Sequence, residues 1–252
     1  MCQNVYCFFI WVYFKMQKIN IKKVLETYKK SLVTKIDLPS LYSRSKIAHK
    51  WKLTYGLIVL REAISWRFVD ILTQAYNNEK NGMITGSLIL TRAALETVCL
   101  LIYMNNKMQS VIEGKMSFDD FDNVTTRLLW GAKNIDELPD PVNIMKLIED
   151  SENKYPGIKK AYENLSEIVH PNYRGVCYGY TKQNRQKHET EFGFYCEEKY
   201  GNQFESMIEK CLKTFEEAYN EWGERFEQLE KWLEKNDNKL ERQRNKKLKK
   251  NI

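Results

Sequence analysis

The chain contains few of the residues that interrupt helices. Its 252 residues include only five prolines and 11 glycines, whereas β-sandwiches and barrels need frequent turns rich in these residues. Hydrophobic residues make up 43% and charged residues 29% of the sequence, which is ordinary usage for a globular protein. The composition therefore favours an all-α fold, a bundle of long antiparallel helices.

Residues that could bind a metal ion are also scarce. There are three histidines, and the six cysteines form neither a CxxC pair nor a zinc-like spacing with histidine. We therefore expect no structural metal and no cofactor. Cys99 and Cys211 lie on apolar helix stripes, where a reduced cysteine packs as a small hydrophobic residue. This usage is typical of a reducing cytoplasm, which is the predicted location.

The apolar run near the N-terminus is too short to cross a membrane. It extends from Val5 to Phe14, only ten residues, and a spanning helix needs about 20. The nearby lysines follow this run, whereas those of a secretory signal precede it. We expect no transmembrane anchoring. Residues 1–15 are predicted to be an over-extended gene start or, alternatively, a short membrane-associating leader.

The net charge of +7 is concentrated at the C-terminal end. Residues 237–252 form a tail rich in lysine and arginine, and the rest of the chain is close to neutral. One interpretation of this tail is a solvated, frayed helix end. The other is a weak, salt-sensitive contact with RNA or DNA.

Helical periodicity predicts one helical-bundle domain over residues 16–236. Residues 174–201 are rich in glycine and tyrosine, and we expect an irregular loop or hairpin insertion there. The helices are predicted at about 21–32, 45–77, 83–107, 142–149, 157–170 and 203–246.

The helix that begins near Met83 is apolar on almost every side, yet it carries one polar stripe. At 100° per residue, the stripe contains Thr85, Arg92, Glu96 and Tyr103. A buried charge needs a partner. The preceding helix places Arg61 inside its apolar face, with Glu62 turned to the polar side. We therefore expect an Arg61–Glu96–Arg92 cluster, unless Arg61 extends outward to solvent.

The segment LSEIVHPNYRG, residues 165–175, carries a second group of polar residues. Pro171 disfavours helical geometry at His170, so the helix should end there. Ser166 and His170 lie one turn apart on the flank of that helix. His170 could serve only the helix terminus, where the macrodipole favours a protonated histidine. Alternatively, His170 faces the Arg92–Glu96 cluster together with Asn172 and Tyr173.

Two motifs, TRAALETVCLLIYM (residues 91–104) and LSEIVHPNYRG, resemble the HEPN-like group of bacterial helical proteins. The resemblance implies an all-helical bundle. HEPN relatives include RNA-cutting toxins, abortive-infection proteins and non-catalytic binding modules, and dimerisation commonly completes their sites. The positions that match recurrent family residues are Arg92, Glu96, Ser166, His170, Pro171 and Asn172.

The chain departs from the ribonuclease members of that group. Those proteins carry an arginine followed after four to six residues by a histidine, usually in a late helix. The literal match here is Arg44 with His49, early in the chain, and a histidine at that position is expected on the surface.

Two functions from different classes remain. The preferred one is a HEPN-like binding or regulatory module in the bacterial stress or phage response, with Ser166, Asn172, Tyr173 and Tyr103 as binding residues. The alternative is a metal-independent endoribonuclease. In that enzyme His170 acts as general acid and base, while Arg92 or Arg61 stabilises the developing phosphorane-like charge beside Glu96. The candidate partners are RNA and a second copy of the chain. In the binding module, the Arg–Glu–His cluster instead fixes the fold or a ligand pocket.

Overall fold

Helices dominate the computed structural model, which describes residues 20–250. The prediction of an all-α protein is confirmed, and the described part contains a single two-stranded hairpin. A π-helical segment, called here the π-turn, precedes the hairpin. The elements are α1 (Ile21–Ser31), α2 (Leu38–Arg44), α3 (Lys46–His49), α4 (Lys52–Lys80), α5 (Ile84–Ile112), α6 (Phe118–Trp130), α7 (Ile144–Glu152), α8 (Ile158–Val169), the π-turn (Tyr173–Tyr178), β1 (Thr181–Asn184), β2 (Glu189–Phe192) and α9 (Cys196–Lys250).

Side chains that cap backbone N–H groups mark the starts of several helices. Asn20 accepts a hydrogen bond from the Lys23 N–H at 3.0 Å at the start of α1. Ser117 does the same for the Asp120 N–H at 3.1 Å at the start of α6. Such caps satisfy N–H groups that have no partner within the helix. The local sequence thus determines where these helices begin.

Helix α5 forms the centre of the bundle and packs against α4, α7, α8 and α9. Leu88, Val98 and Leu101 are almost completely buried, and each such side chain contributes about 2 kcal/mol through its removal from water. Among the described residues, α5 is the one helix that is long and apolar enough to cross a membrane. Because 67% of its most apolar window is buried inside the bundle, it is typical of the core helix of a soluble protein.

The predicted hairpin insertion is confirmed. Strands β1 and β2 pair antiparallel, with Thr181 opposite Phe192 and Asn184 opposite Glu189. The hairpin connects the π-turn to α9, and Tyr180 accepts a backbone hydrogen bond from the Gly193 N–H at 3.0 Å. This insertion therefore lies directly after the LSEIVHPNYRG segment and at the first turn of α9.

Two predicted helix boundaries are wrong. The helix expected over 45–77 is interrupted at Trp51, whose extended backbone separates α3 from α4. The interruption is stabilised from α9, because the Trp51 indole donates a hydrogen bond to Asp237 at 3.0 Å. The last helix begins earlier than expected, at Cys196, and continues to Lys250.

The sequence predicts that the domain ends at residue 236 and that a separate basic tail begins at residue 237. Helix α9 continues without a break through residue 237, the expected start of the tail. Leu240 is still buried, and residues 241–249 are exposed. The basic tail is thus the solvated last part of α9. Residues 1–15, the predicted leader or over-extended start, lie outside the described residues.

Candidate functional site

The polar stripe of α5 is covered by the elements that follow it in the chain. Arg92 donates a hydrogen bond from Nη2 to the Tyr162 hydroxyl of α8 at 2.7 Å, and its guanidinium carbon lies 4.9 Å from the centre of that ring. Near the start of α5, the Thr85 and Tyr180 hydroxyls are 3.0 Å apart. The stripe is therefore the surface that receives α8 and the segment before the hairpin.

The Arg92–Glu96 pair forms within α5 itself. Arg92 Nε lies 3.4 Å from Glu96 Oε1, one helical turn away. This distance allows ion pairing, but the two groups are not aligned as a hydrogen bond, and Arg92 Nε is buried without one. The Ser166 hydroxyl of α8 is likewise buried without a hydrogen-bond partner among the described residues.

Tyr103, at the other end of the stripe, is buried beneath the Lys107 ammonium group. Lys107 Nζ lies 4.4 Å from the Tyr103 ring centre and 3.0 Å from Asp150 Oδ1 on α7. Burial, and secondarily the Asp150 charge, raise the pKa of the Tyr103 phenol. Tyr103 is therefore a core residue that stays neutral. It has no exposed surface with which to fill the binding role predicted for it.

The predicted contact between Arg61 and Glu96 is wrong. Arg61 pairs with its own neighbour Glu62, donating from Nε to Oε1 at 2.6 Å. Its guanidinium carbon lies 4.8 Å from the Tyr219 ring centre and 4.3 Å from that of Trp222, both on α9. Glu62 is buried, which also corrects its expected position on the polar side. Arg61 thus faces α9, and the predicted cluster contains only Arg92 and Glu96.

The predicted end of α8 at His170 is confirmed. Val169 is the last helical residue, and His170 is an extended cap whose N–H donates to the Ser166 carbonyl at 2.9 Å. The His170 side chain is exposed, and its ring makes no hydrogen bond or ion pair with any described residue. The expectation that His170 faces the Arg92–Glu96 pair therefore has no contact to support it.

The residues after His170 form a tight turn. Asn172 Oδ1 accepts from the Gly175 N–H at 3.1 Å, and Asn172 Nδ2 donates to Glu167 at 2.9 Å. A Cβ at Gly175 would lie 2.1 Å from the His170 carbonyl oxygen, so only glycine fits there without rearrangement. Asn172 and Gly175 therefore determine the shape of this segment, and Tyr173 between them extends into solvent.

The second histidine region joins α3 to α9. His49 Nε2 lies 2.9 Å from Glu230 Oε1, and His49 Nδ1 lies 3.0 Å from the Thr54 hydroxyl. Arg44 donates to the other oxygen of Glu230 from Nη2 at 2.7 Å and from Nε at 3.0 Å. Only 1% of the His49 side chain is exposed, so the expected surface position is wrong. The Arg44–His49 pattern anchors two short helices to α9.

Further charged contacts extend this junction along α9. Lys50 Nζ contacts Asp237 at 2.6 Å and Glu241 at 2.7 Å. Hydrogen bonds with these two carboxylates raise the pKa of the Lys50 ammonium group. Ser45, one residue after Arg44, donates to Glu234 at 2.6 Å. The polar junction therefore follows α9 for several turns and is not an isolated pair.

A partly open cavity of about 150 Å³ lies between α1, α4 and α9. We call it the α1–α9 cavity. Glu216 is half-buried there and accepts from the Tyr28 hydroxyl at 3.3 Å. Burial raises the pKa of Glu216, and burial together with the Glu216 charge raises the pKa of Tyr28. The lining residues that carry aromatic, acidic or hydroxyl groups include Tyr28, Glu62, Ser65, Phe215, Glu216 and Tyr219.

The π-turn and hairpin expose several large aromatic rings. Phe194 is 94% exposed, Phe192 80%, Tyr173 67% and Tyr178 39%. We call these four rings the aromatic segment. The ring centres of Tyr173 and Tyr178 lie 6.3 Å apart, and contiguous exposed apolar groups are typical of interaction sites. The turn between the strands adds Arg185 and Lys187, both exposed and without an ion-pair partner among the described residues.

Sequence reasoning missed Glu230 and Glu216, the carboxylates at the centre of the α3–α9 junction and the α1–α9 cavity. Each lies beside the apolar stripe of α9, Glu216 next to Phe215 and Glu230 next to Leu229. A carboxylate beside an apolar stripe was therefore a usable signal. The partners of these residues lie more than 180 positions away, and no local pattern identifies them.

No group of histidine, cysteine and acidic side chains among the described residues could hold a metal ion. The arrangement offers a buried ion-pair junction, a small acidic cavity and an exposed aromatic surface. No protein-family model, curated protein or solved structure matches the chain. The resemblance to HEPN-like proteins therefore stays a prediction that rests on the two sequence motifs.

Proposed function

We propose that this protein is a HEPN-like helical module of the bacterial cytoplasm that binds RNA without cutting it and acts as a regulator in the stress or phage response. The observation that carries the proposal is the aromatic segment. Exposed rings stack on the bases of single-stranded nucleic acid whatever the sequence, and nearby cations hold the phosphates. Tyr173 belongs both to this segment and to the motif that resembles the family.

The position of the basic residues supports this surface. Arg185 and Lys187 occupy the hairpin turn, and Phe192 lies at the opposite end of the strands, where it pairs with Thr181. Rings and positive charges therefore lie within one short insertion, at its two ends. The basic end of α9 is a separate cationic surface, because the helix separates it from the hairpin by about 80 Å at 1.5 Å per residue. We expect it to add affinity that depends strongly on salt.

Several contacts favour binding over cleavage. A general base must come within about 3 Å of the proton it removes. No arginine of the described part of the chain contacts the His170 ring. Arg61 is engaged with Glu62 and two rings, and Arg92 is engaged with Tyr162. The literal ribonuclease pattern places His49 inside the α3–α9 junction, away from solvent. Neither histidine is therefore poised for RNA hydrolysis.

The test combines binding with cleavage. Fluorescence anisotropy with a labelled single-stranded RNA oligonucleotide would compare the wild type with the Phe192→Ala/Phe194→Ala double variant. We expect an affinity loss of about tenfold or more, since stacking contributes about 1–3 kcal/mol per base. Trp130→Ala is the matched control, because Trp130 is 61% exposed at the end of α6 and lies outside the aromatic segment. It should leave the affinity unchanged.

Three outcomes would overturn the proposal. One is an equal effect of the aromatic and the Trp130 variants, and another is no RNA binding at all. The third is cleavage of total RNA that disappears in His170→Ala, which would restore the nuclease. Light scattering of the purified protein would test the predicted homodimer separately.

A further inference from the structure

We propose that the α1–α9 cavity is a binding site for a small organic cation, an ammonium group on a short apolar or aromatic body. This inference goes beyond RNA binding and does not depend on it, because the cavity and the aromatic segment are formed by different residues. The cavity combines a carboxylate without a counter-ion among the described residues, aromatic walls and a small volume. Each of these features restricts the class of ligand.

The charges facing the cavity leave one carboxylate without a counter-ion. From α4, Glu62 faces the cavity but is already neutralised by Arg61. From α9, Glu216 has the Tyr28 hydroxyl of α1 as its partner and no cation within ion-pair distance among the described residues. Glu217, the next residue, is exposed and adds negative charge. The cavity therefore attracts a positive ligand and repels phosphates and carboxylates.

The aromatic walls favour an organic cation over a bare metal ion. Phe215 stacks on Phe68 with ring centres 4.0 Å apart, which keeps the wall rigid, and Tyr28 and Tyr219 lie beside it. Ring faces attract ammonium groups and also cover their apolar substituents. Tyr219 already contacts one cation, because the Arg61 guanidinium carbon lies 4.8 Å from its ring centre. A metal ion would require several oxygen ligands instead.

The size of the cavity limits the ligand further. Its volume of about 150 Å³ lies below the range of about 300–1,000 Å³ that is typical of sites for drug-sized ligands. A nucleotide or a folded peptide does not fit this space. Ser65 supplies a hydroxyl at the wall, so a small amine can satisfy its remaining N–H groups while its body lies against the rings.

Binding should also change the protonation of Glu216. Burial raises its pKa, the Tyr28 hydrogen bond opposes this rise, and the neighbouring Glu217 charge adds to it. A bound ammonium group would favour the ionised carboxylate and lower that pKa again. Uptake of the ligand therefore releases protons, and affinity rises as the pH increases through the raised pKa of Glu216. The other titratable groups facing Glu216 are Tyr28, Glu62, Glu217 and Tyr219.

The experiment compares benzylamine with benzyl alcohol, which has a similar shape but no charge. Isothermal titration calorimetry of the full chain should detect benzylamine and not the alcohol. Glu216→Gln keeps the side-chain shape and removes the charge, and we expect it to weaken benzylamine binding at least tenfold. Glu217→Gln is the matched control and should change the affinity less than twofold. Thermal unfolding of both variants verifies that the bundle is intact.

A second readout separates direct contact from a general effect of charge. Titrations in two buffers with different ionisation enthalpies should reveal proton release in the wild type and none in Glu216→Gln. The proposal is overturned if benzyl alcohol binds as tightly as benzylamine, if the two glutamine variants bind alike, or if the wild type binds neither compound. The RNA affinity of the same variants should not change. A failure of benzylamine binding would therefore leave the proposed RNA-binding function unaffected.

Discussion

His49 and His170 occupy contrasting environments in one helical bundle. The His49 ring is enclosed at the α3–α9 junction, with a partner at each nitrogen, Thr54 and Glu230. The His170 ring, at the end of α8, is exposed and has no partner among the described residues. Both were singled out by short motifs in the sequence. Their environments show that a motif does not by itself distinguish a structural histidine from an available one.

The Glu230 carboxylate accounts for much of the difference between the environments of His49 and His170. Glu230 is buried on α9 and can remain there because His49 and Arg44 both donate to it. A buried charge without such partners is strongly unfavourable, so the three side chains stabilise one another. Among the described residues no carboxylate pairs with His170, and its segment is shaped by Asn172 and Gly175 instead.

The largest expected effect is that of Glu230→Ala. The substitution leaves the enclosed His49 ring without its Nε2 partner and removes the contact with Arg44. We expect the free energy of unfolding to fall by about 3 kcal/mol, the usual consequence of breaking a buried pair. Urea denaturation measures it. Glu227→Ala is the control, since Glu227 is largely exposed and also contacts Arg44; an equal loss there would contradict the prediction.

His49→Ala should have the second largest effect. It removes a buried ring and two hydrogen bonds, and about 2 kcal/mol of stability should be lost. Combined with Glu230→Ala, the losses should be less than additive by about 1 kcal/mol, because both variants break the same contact. A double-mutant cycle by urea denaturation measures this coupling. Strict additivity would mean that the two side chains act independently.

Gly175→Ala tests the backbone of the turn that follows His170. The added Cβ would collide with the His170 carbonyl oxygen, and we expect a loss of about 1.5 kcal/mol with faster proteolysis between α8 and the hairpin. Gly223→Ala is the control, because Gly223 lies within α9 with open space around it. That change should stabilise the helix by about 0.5 kcal/mol. If Gly223→Ala destabilised the protein and Gly175→Ala did not, the conclusion that this turn requires glycine at position 175 would be wrong.

The smallest expected effect is that of His170→Ala. An exposed ring without partners contributes little, so the free energy of unfolding should change by less than about 0.5 kcal/mol. Thermal and urea unfolding of the variant beside His49→Ala would sharpen the contrast between the two histidines. A loss comparable to that of His49→Ala would show that the His170 ring has a structural contact of its own.

Much of the fold was predictable because it depends on local patterns. Helical periodicity identified α5 and most of α4 and α9, and the glycine- and tyrosine-rich composition indicated the hairpin. The interruption at Trp51 was not predictable, since it depends on Asp237 of α9. The arrangement of the helices follows from packing across the whole chain, which periodicity alone does not determine.

The candidate site was predictable only in part, because contacts between distant parts of the chain determine it as well. The polar stripe of α5 was recognised, and Arg92 and Glu96 do form a pair within it. The predicted direction of the Arg61 side chain was wrong, because Arg61 contacts its buried neighbour Glu62 and two rings of α9. Whether a long side chain turns toward one neighbouring helix or another depends on competing partners, and these are far apart in the sequence.

Helix α9 also determines when the bundle can fold. It is the last of the described elements to be synthesised, yet it supplies Glu230 to the α3 junction, Phe215 to the ring stack with Phe68, and a carbonyl at Ala218 that accepts from the buried Asn105. Until α9 leaves the ribosome, the faces of α4 and α5 that pack against α9 stay uncovered, although the two helices can already pack against each other. The nascent chain therefore completes its apolar core only after synthesis of α9.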